Sequence, residues 1–248
     1  MTTKQRVLIL GGSDGIGEAI ARSLTQEGAE VFVTSRDLEK AKAAALNIGG
    51  TTMGLSVDVA NGASIEAAVA AATEGGDLTG LAYCVGSIDL KPLARASADD
   101  FAKSYALNVI GAAMTVKATA ASLKSSGHGS VVLFSTVAAR QGFTNHSIIA
   151  SAKGGIEGLT VSLAAEMAPD VRVNAIAPSL TRTPIAAPLL ASETVTKSLA
   201  QAHPLPRLGT PEDHAALACL LLSPSSSWMT GQVIGVDGGR STLRTGRS

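Results

Sequence analysis

The sequence predicts one Rossmann-type, doubly wound α/β domain spanning residues 1–248, with a parallel sheet and helices on both of its faces. Short apolar runs with little hydrophobic alternation recur along the chain, which is the pattern of strands buried on both faces. Helical patterns separate these runs, as they do in βαβ units. We find no internal repeat and no Pro- or Gly-rich linker that would divide the chain.

The predicted elements alternate along the whole chain. The strand candidates are residues 7–10, 31–34, 52–57, 80–85, 130–135, 171–177 and 232–236. The helical patterns cover residues 16–24, 38–47, 62–73, 98–124, 148–168 and 211–222. The last helix has a clear start, because Thr210 stands at the capping position, Pro211 at the first helical position, and two acids follow.

The composition argues against several classes of protein. Twenty basic and 20 acidic residues give a formal net charge of zero, so no electrostatic signal predicts a nucleic-acid partner or an anionic membrane. Charged residues make up 16% of the chain, below the ~25% usual for soluble domains. This shortage of charge predicts a homo-oligomer, a tetramer or a dimer, that covers apolar surface.

The sequence also lacks the patterns of a secreted, membrane-bound or metal-binding protein. The apolar runs at residues 7–10 and 215–222 are too short for a signal segment or a membrane span. Cys84 and Cys219 lie in apolar segments without the spacing of a metal site or a disulfide framework, so we expect reduced thiols and no metal. A cytoplasmic location is the resulting expectation.

A glycine-rich segment directly follows the first predicted strand and opens the first helix. It reads GGSDGIG over residues 11–17, with the spacing G-x-x-x-G-x-G. Glycines allow a tight turn and a close approach of the backbone to a diphosphate, and the helix N-terminus offers free N–H groups. A plain strand-to-helix turn is the alternative. The residues expected at the diphosphate are Gly11, Ser13, Gly15, Ile16 and Gly17.

Read together with this turn, further segments resemble the short-chain dehydrogenase/reductase family over essentially the whole chain. The matching positions are Asp58, Val59, Val85, Gly86, Asn108, Lys153, Asn174, Pro178, Thr181 and Thr183, followed by Gly231-Gln232 and Asp237-Gly238-Gly239. The resemblance implies a seven-stranded sheet in the order 3-2-1-4-5-6-7 and a bound nicotinamide dinucleotide. It also implies a tetramer formed through the helices at 98–124 and 148–168.

The same resemblance assigns roles to these positions. Residues 58–59 would hold the adenine ring, and residues 85–86 close the fourth strand beside the dinucleotide. Residues 174–183 resemble the segment that grips the carboxamide and the diphosphate. Lys153 would bind the nicotinamide ribose, with a plain surface lysine as the alternative. Asn108 would bend its helix and, in relatives, hold a water of the proton relay; here it is expected to be chiefly structural.

The end of the second predicted strand bears on which dinucleotide binds. A carboxylate there would accept both ribose hydroxyls of NAD and repel a 2′-phosphate. This chain has Ser35 and Arg36 instead, and a hydroxyl and a guanidinium suit a phosphate. A solvated arginine beside Asp37 is the alternative, and Asp14 in the glycine-rich turn weakens the argument. The sequence favours NADP(H) over NAD(H).

One position departs from the family pattern in a way that matters for chemistry. Relatives place a tyrosine four residues before the lysine, whereas this chain has Ile149 four residues before Lys153. The chain's two tyrosines lie far away in sequence. The family serine falls on Thr136, which keeps a hydroxyl, and Ser135 is its neighbour. The resemblance therefore implies an active site that retains its other polar groups without the phenolic proton donor.

Loss of that phenol affects different substrates unequally. A positioned general acid contributes about 10²–10⁴-fold to rate. An isolated ketone becomes a basic alkoxide and needs the acid, whereas a conjugated double bond becomes a delocalised enolate that water can protonate.

Enoyl reductases of the family have a tyrosine seven residues before the lysine, where this chain has His146. Since an imidazole titrates near neutrality, His146 is a candidate donor, and a loop or helix-start histidine is the alternative. The other three histidines are expected to be incidental.

Residues 184–210, between the sixth strand and the last helix, are expected to form a substrate lid. Residues 184–190 are apolar, which predicts a small, partly apolar substrate; packing against a neighbouring subunit is the alternative.

The leading interpretation is an NADP(H)-dependent oxidoreductase that reduces an activated C=C or C=O bond. The second is a catalytically silent nucleotide-binding protein that acts as a redox sensor or an assembly partner. A halohydrin-cleaving lyase is disfavoured, because such relatives keep the tyrosine and give up the glycine turn.

Overall fold

The computed structural model describes residues 4–245, and its strands form one all-parallel, seven-stranded sheet in the order β3-β2-β1-β4-β5-β6-β7. This confirms the predicted fold class and strand order. The strands are β1 (Arg6–Leu10), β2 (Glu30–Ser35), β3 (Thr52–Ser56), β4 (Gly80–Tyr83), β5 (Gly129–Phe134), β6 (Val171–Pro178) and β7 (Val233–Val236).

The strands belong to two separate cores because successive side chains point to opposite faces. In β1, Val7 and Ile9 join a cluster on one face, while Leu8 and Leu10 join a cluster on the other. Every residue of β1, β4 and β5 is buried. This is why their sequences are mostly apolar rather than alternating, with Arg6 and Ser130 as buried exceptions.

The α-helices cover both faces, as predicted. They are α1 (Gly15–Gln26), α2 (Leu38–Ile48), α3 (Gly62–Thr73), α4 (Ala98–Tyr105), α5 (Gly111–Ser125), α6 (Ser147–Met167), α7 (Glu193–Gln201) and α8 (Pro211–Leu222). Helices α1, α2 and α8 contribute to the cluster of Val7 and Ile9, and α3, α5 and α6 contribute to that of Leu8 and Leu10. Thr210 caps α8 in a capping box with Asp213, which confirms the predicted helix start.

The predicted helix at 98–124 contains an irregularity that its sequence pattern does not reveal. A π-helical turn, Ala106–Ile110, joins α4 to α5. Within it the side-chain amide of Asn108 donates to the carbonyl oxygen of Ser104 at 2.8 Å, which is the carbonyl four residues earlier that a regular helix would offer to the backbone N–H. Such single π turns occur frequently at functional sites.

The segment at 184–210 has more regular structure than expected. Pro184–Leu190 forms a 3₁₀ turn, and α7 follows after Ser192, whose hydroxyl accepts from the backbone N–H of Val195. The sequence analysis missed α7 because its nine residues carry no buried apolar stripe.

Two helical stretches, Ala98–Ser125 and Ser147–Met167, are long and apolar enough to cross a membrane by length and composition alone. In the structure α5 contacts β5 and α6 contacts β6, which is the placement of core helices in a globular protein.

Candidate functional site

A cavity of about 1000 Å³ runs along the carboxyl ends of the strands. In doubly wound sheets ligands bind at this edge, where the strand order reverses. The positions predicted to hold a dinucleotide all line it: Gly11, Ser13, Gly15, Ile16, Gly17, Ser35, Arg36, Asp58, Val59, Val85, Gly86, Lys153, Pro178, Thr181 and Thr183. Of the predicted catalytic residues, Ser135, Thr136, His146 and Lys153 line it too, whereas Asn108 is fully buried behind it.

The cavity has two parts, which are formed by residues that follow different strands of the sheet. The glycine-rich half consists of residues 11–17 and the residues after β2, β3 and β4, namely 35–36, 58–59 and 85–86. The apolar half is formed largely by segments after β4 through β7. Its lining residues are Ile88, Leu90, Lys103, Phe143, His146, Ile149, Ile185, Ala186, Leu189, Val195, Leu199 and Arg240.

The glycine-rich turn is a tightly packed backbone feature. Gly11 and Gly15 have φ angles of 73° and 55°, a region that side chains disfavour. A Cβ on Gly17 would overlap the carbonyl oxygen of Gly11, so the turn closes only with glycine at that position. Asp14 precedes α1 without capping it, so no side chain in the described part of the chain pairs with the first N–H groups of this helix at the cavity wall.

The charges at the far end of the glycine-rich half are arranged around Arg36. Asp37 does not neutralise Arg36; its carboxylate caps α2 by accepting from the N–H groups of Glu39 and Lys40. The carboxylate of Asp14 pairs with the ammonium of Lys40. Within residues 4–245, Arg36 forms no ion pair, so its guanidinium remains a free cation at the cavity wall.

Lys153 lies in α6 with its ammonium group at the cavity wall, although the residue is only 8% exposed. Its Nζ donates to the carbonyl oxygen of Phe134 at the end of β5, at 2.8 Å. Burial lowers the pKa of Lys153 to about 8, and burial raises the pKa of the neighbouring Cys84 thiol to about 12. Cys84 is therefore a neutral thiol beside a lysine that is easily deprotonated.

Asn108 is linked to the cavity through Gly86. The amide of Asn108 donates to Ser104 and to the hydroxyl of Ser87, but its Oδ1 is buried and has no hydrogen-bond partner among residues 4–245. A Cβ on Gly86 would lie 3.1 Å from that oxygen and 3.3 Å from Nζ of Lys153. The absence of a side chain at Gly86 thus leaves a polar gap, with an unpaired acceptor on one side and an ammonium on the other.

The two hydroxyl groups after β5 differ in how firmly they are held. Ser135 is 4% exposed and donates to a carboxylate oxygen of Glu157 at 2.9 Å, and Arg140 holds the other oxygen of Glu157 at 2.6 Å. Thr136 Oγ1 accepts from the backbone N–H of Ala138 at 3.3 Å and donates only a long bond of 3.4 Å to the carbonyl oxygen of Pro178. The Thr136 hydroxyl is consequently the freer of the two to turn toward a ligand.

Ile149 and His146 occupy the first turn of α6 and the residue that precedes it. Ile149 is 5% exposed and presents an aliphatic side chain to the cavity. The Nδ1 of His146 lies 2.7 Å from the carbonyl oxygen of Thr144, so Nδ1 carries a proton and Nε2 of the neutral ring is an acceptor. The ring also contacts Phe143, with centroids 5.4 Å apart.

Thr181 lines the cavity with its hydroxyl engaged by protein groups, whereas Asn174 does not line it. The hydroxyl of Thr181 donates to the carbonyl oxygen of Ser179 at 2.9 Å and lies 2.7 Å from Nε2 of His214, so it is already engaged. Asn174 is fully buried inside the sheet, where its side chain bonds Met229 and Gln232. It connects β6 to the segment before β7 and does not reach the cavity.

The expectation that His203 and His214 are incidental was wrong, because both are buried. His203 donates from Nδ1 to the carbonyl oxygen of Leu199 at 2.9 Å and accepts at Nε2 from the hydroxyl of Ser179 at 2.8 Å. It thereby ties α7 to the loop after β6. Burial lowers the pKa of His214 to about 4, so its ring is neutral near pH 7. His128, in contrast, is exposed, as expected.

Sequence reasoning also missed Phe143 and Arg240, whose side chains meet in the apolar half. The guanidinium of Arg240 lies over the ring of Phe143, 5.2 Å from its centroid. No local pattern links residues so far apart in the chain; the only signal was the placement of Arg240 directly after the Asp237-Gly238-Gly239 motif.

A glycine turn that leaves room for a diphosphate, a free arginine beside the second strand and a buried lysine facing the same cavity fit a nicotinamide dinucleotide. Sequence comparison agrees: the profile of the family described as Enoyl-(Acyl carrier protein) reductase matches residues 11–241. The chain belongs to the short-chain dehydrogenase/reductase family of oxidoreductases.

Relatives over the full length support this assignment. The chain is 36% identical over 245 residues to the short-chain reductase protein NovJ of Streptomyces niveus, covering 94% of this chain and 92% of the relative. It is 35% identical over 240 residues to a tropinone reductase homolog of Arabidopsis thaliana, covering 94% and 90%. A crystal structure of an actinorhodin polyketide ketoreductase variant with NADPH superposes with a TM-score of 0.92 at 26% identity, covering 98% and 100%.

Proposed function

We propose that this chain is an NADP(H)-dependent oxidoreductase that reduces an activated C=C or C=O bond of a small, partly apolar substrate along a modified proton path. The observation that carries the proposal is the single cavity in which the glycine turn, Arg36 and Lys153 share a wall with Ile149. The bound dinucleotide would supply or accept a hydride. Every other part of the reaction would depend on the side chains of this protein.

The charges around Arg36 favour NADP(H). Because Asp37 caps α2 and Lys40 neutralises Asp14, Arg36 is left free to bind a 2′-phosphate. Arginine suits this task, since its planar fork donates parallel hydrogen bonds to phosphate oxygens. The sequence offers two reasons to question phosphate binding by Arg36, namely the nearby carboxylates of Asp37 and Asp14. Both carboxylates already have partners.

At the reacting end, Ile149 stands where relatives have the catalytic tyrosine, and an aliphatic side chain can neither give nor take a proton. Thr136 would donate a hydrogen bond to the substrate oxygen, and Lys153 would bind ribose hydroxyls through its ammonium group. A carbonyl conjugated to the reducible double bond needs less proton assistance than an isolated ketone. The arrangement therefore favours conjugated substrates.

His146 is the best-placed residue to supply a proton. Since Nδ1 is held by Thr144, the ring gives a proton from Nε2 only as the imidazolium. His146→Ala should lower turnover about tenfold or more without changing NADPH affinity, and His128→Ala, at an exposed histidine, serves as the matched control.

The remaining assignments belong to the same proposal. Residues 184–210 would act as a substrate lid within a single domain of residues 1–248. The exposed apolar side chains of Tyr105, Ile110 and Val161 on the α4–α6 surface support a homo-oligomer, a tetramer or a dimer. We propose a cytoplasmic protein with a small-molecule substrate and no nucleic-acid or membrane partner.

A second candidate function is a catalytically silent nucleotide-binding protein that acts as a redox sensor or an assembly partner. Two observations favour it: Ile149 offers no proton, and the hydroxyl of Ser135 is committed to Glu157. The two candidates share every dinucleotide contact, so only turnover distinguishes them.

NADPH oxidation with a panel of enones, enoyl thioesters, quinones and ketones tests the proposal. We expect conjugated substrates to react, and Ile149→Tyr to raise reduction of isolated ketones by about 10²-fold. Binding without turnover on the whole panel would favour the silent protein. Calorimetry that detects no heat with either NADPH or NADH would overturn both candidates.

A further inference from the structure

The apolar half contains two cationic side chains that differ in how they are neutralised. Lys103 pairs with Asp99 at 2.6 Å, and its side chain is 76% exposed. Arg240 is partly buried and forms no ion pair with any residue from 4 to 245. Of the two cations, Arg240 is therefore the one whose positive charge is not compensated by an acidic side chain of the described residues.

The backbone holds Arg240 in place. The preceding residues Gly238 and Gly239 adopt φ angles of 62° and 83°, and a Cβ on Gly239 would lie 2.8 Å from the side chain of Leu243. The carboxylate of Asp237 accepts from the N–H groups of Gly239 at 2.9 Å and Ser241 at 3.0 Å. This carboxylate closes the turn and forms no ion pair with Arg240.

The side chain of Arg240 is positioned but not saturated. Its Nη1 donates to the carbonyl oxygen of Ala202 at 2.8 Å, just after α7, and its guanidinium lies over Phe143. These contacts orient the planar group and use only part of its N–H donors. The remaining donors belong to a group that lines the cavity beside apolar side chains, where a charge-assisted hydrogen bond is stronger than in water.

Other carboxylates near this half of the cavity are also engaged. Glu157 is held by Arg140 and Ser135, and Asp89 accepts from the hydroxyl of Ser87. The apolar half thus presents an aliphatic wall, the rings of Phe143 and His146, and one guanidinium that forms no ion pair with residues 4–245. A neutral, wholly apolar substrate would leave that guanidinium partly desolvated and unpaired, at a cost in binding.

We infer that Arg240 is a specificity-determining residue that binds an anionic group, a carboxylate, at the end of the substrate remote from the reacting bond. This inference rests on the proposed function and names the class of its substrate: an apolar body with a terminal carboxylate. The carboxylate would receive forked hydrogen bonds from Arg240 while the body lies against Phe143, Leu199 and their neighbours.

Binding of two probes that differ only in charge tests the inference without requiring turnover. Octanoate and octanamide are titrated by calorimetry into the full-length protein, with and without saturating NADP⁺. We expect octanoate to bind at least about tenfold more tightly than octanamide, as expected for a hydrogen-bonded charge pair. In Arg240→Met the two affinities should agree within about twofold, and Arg240→Lys should restore part of the preference. Lys103→Met, at the cation already paired with Asp99, should keep the wild-type ratio.

Equal affinity for the two probes in the wild type, no binding of either probe, or a preference that persists in Arg240→Met would each overturn the inference. A normal NADPH affinity in Arg240→Met shows that the variant is folded and that any change is confined to the substrate. Failure of the proposed function has a different signature, namely a carboxylate preference carried by Arg240 in a protein that oxidises NADPH with no substrate of the panel.

Discussion

The glycine-rich half and the apolar half of the cavity are built by different means. In the glycine-rich half, the turn of residues 11–17 contributes backbone atoms to the wall, and its glycines are restricted by a positive φ angle or by a close approach. In the apolar half, side chains from distant segments meet, as Arg240 and Phe143 do. The glycine turn is therefore set by local sequence, and the apolar half is set by tertiary packing. Substitutions in the two halves should have separable effects.

The largest effect is expected from Gly17→Ala in the glycine-rich half. The new Cβ would overlap the carbonyl oxygen of Gly11, so the turn must open. We expect at least about 10²-fold weaker dinucleotide binding and a loss of about 1–3 kcal/mol in the free energy of unfolding, as for overpacked sites. Calorimetric titration and thermal unfolding measure the two quantities.

Gly158→Ala provides the matched control for that variant. Gly158 lies in α6, and a Cβ there would meet nothing within 4 Å. The same glycine-to-alanine change should leave dinucleotide binding unaltered and stabilise the helix by up to about 1 kcal/mol. If Gly17→Ala binds the dinucleotide as well as Gly158→Ala does, the glycine turn is not the diphosphate site.

A smaller effect is expected when Arg36 is replaced by aspartate. The substitution removes a cation suited to a 2′-phosphate and adds a carboxylate that can accept from ribose hydroxyls. The ratio of NADPH to NADH affinity should fall by roughly 10–100-fold, the range of a charge-assisted hydrogen bond. Fluorescence titration with both coenzymes checks this, and an unchanged ratio would contradict the assignment of Arg36.

Lys153 lies between the two halves and predicts a pH dependence. Because burial lowers its pKa to about 8, the free protein loses the ammonium group as the pH rises through that value. Dinucleotide affinity that uses the ammonium should then fall above pH 8, by up to about tenfold per pH unit. Dissociation constants measured between pH 7 and 9.5 check the slope.

The control for this prediction is Lys153→Met, which keeps the length of the side chain without its charge. Its affinity should be weak and independent of pH over the same range. A slope that persists in Lys153→Met would assign the titration to another group. The free energy of unfolding changes in the opposite direction to the affinity. Between about pH 8 and the ordinary lysine pKa near 10.4, the unfolded chain keeps the proton that the folded chain has lost. The free energy of unfolding of the wild type should therefore rise with pH relative to that of Lys153→Met.

The smallest effect is expected from His203→Phe in the apolar half. The substitution removes both bonds that tie α7 to Ser179 and keeps most of the volume of the ring. Loosening of the segment around α7 should raise KM about three- to tenfold, while the affinity for the dinucleotide changes less than about twofold. Steady-state kinetics and calorimetry separate the two. If KM and the dissociation constant of the dinucleotide rise by the same factor, His203 supports the whole cavity.

The same contrast between local sequence and tertiary packing explains which parts of the structure the sequence could predict. The strand order, the glycine turn and the cap of α8 were predictable because they depend on local patterns or on a family motif. The engagement of Thr181 with His214, the pairing of Asp14 with Lys40 and the contact of Arg240 with Phe143 were not. Each depends on which side chains the folded sheet brings together, and such pairs leave no periodicity in the sequence.

The division of the interior into two clusters has a consequence for how the molecule opens. Each strand sends alternate side chains to different helical layers, so the sheet is the main structure that the layers share. Loss of packing in the layer of α1 and α8 can be confined to that face while amides of α3, α5 and α6 stay protected from solvent exchange. Either layer can thus loosen as a partial unit while the other stays packed.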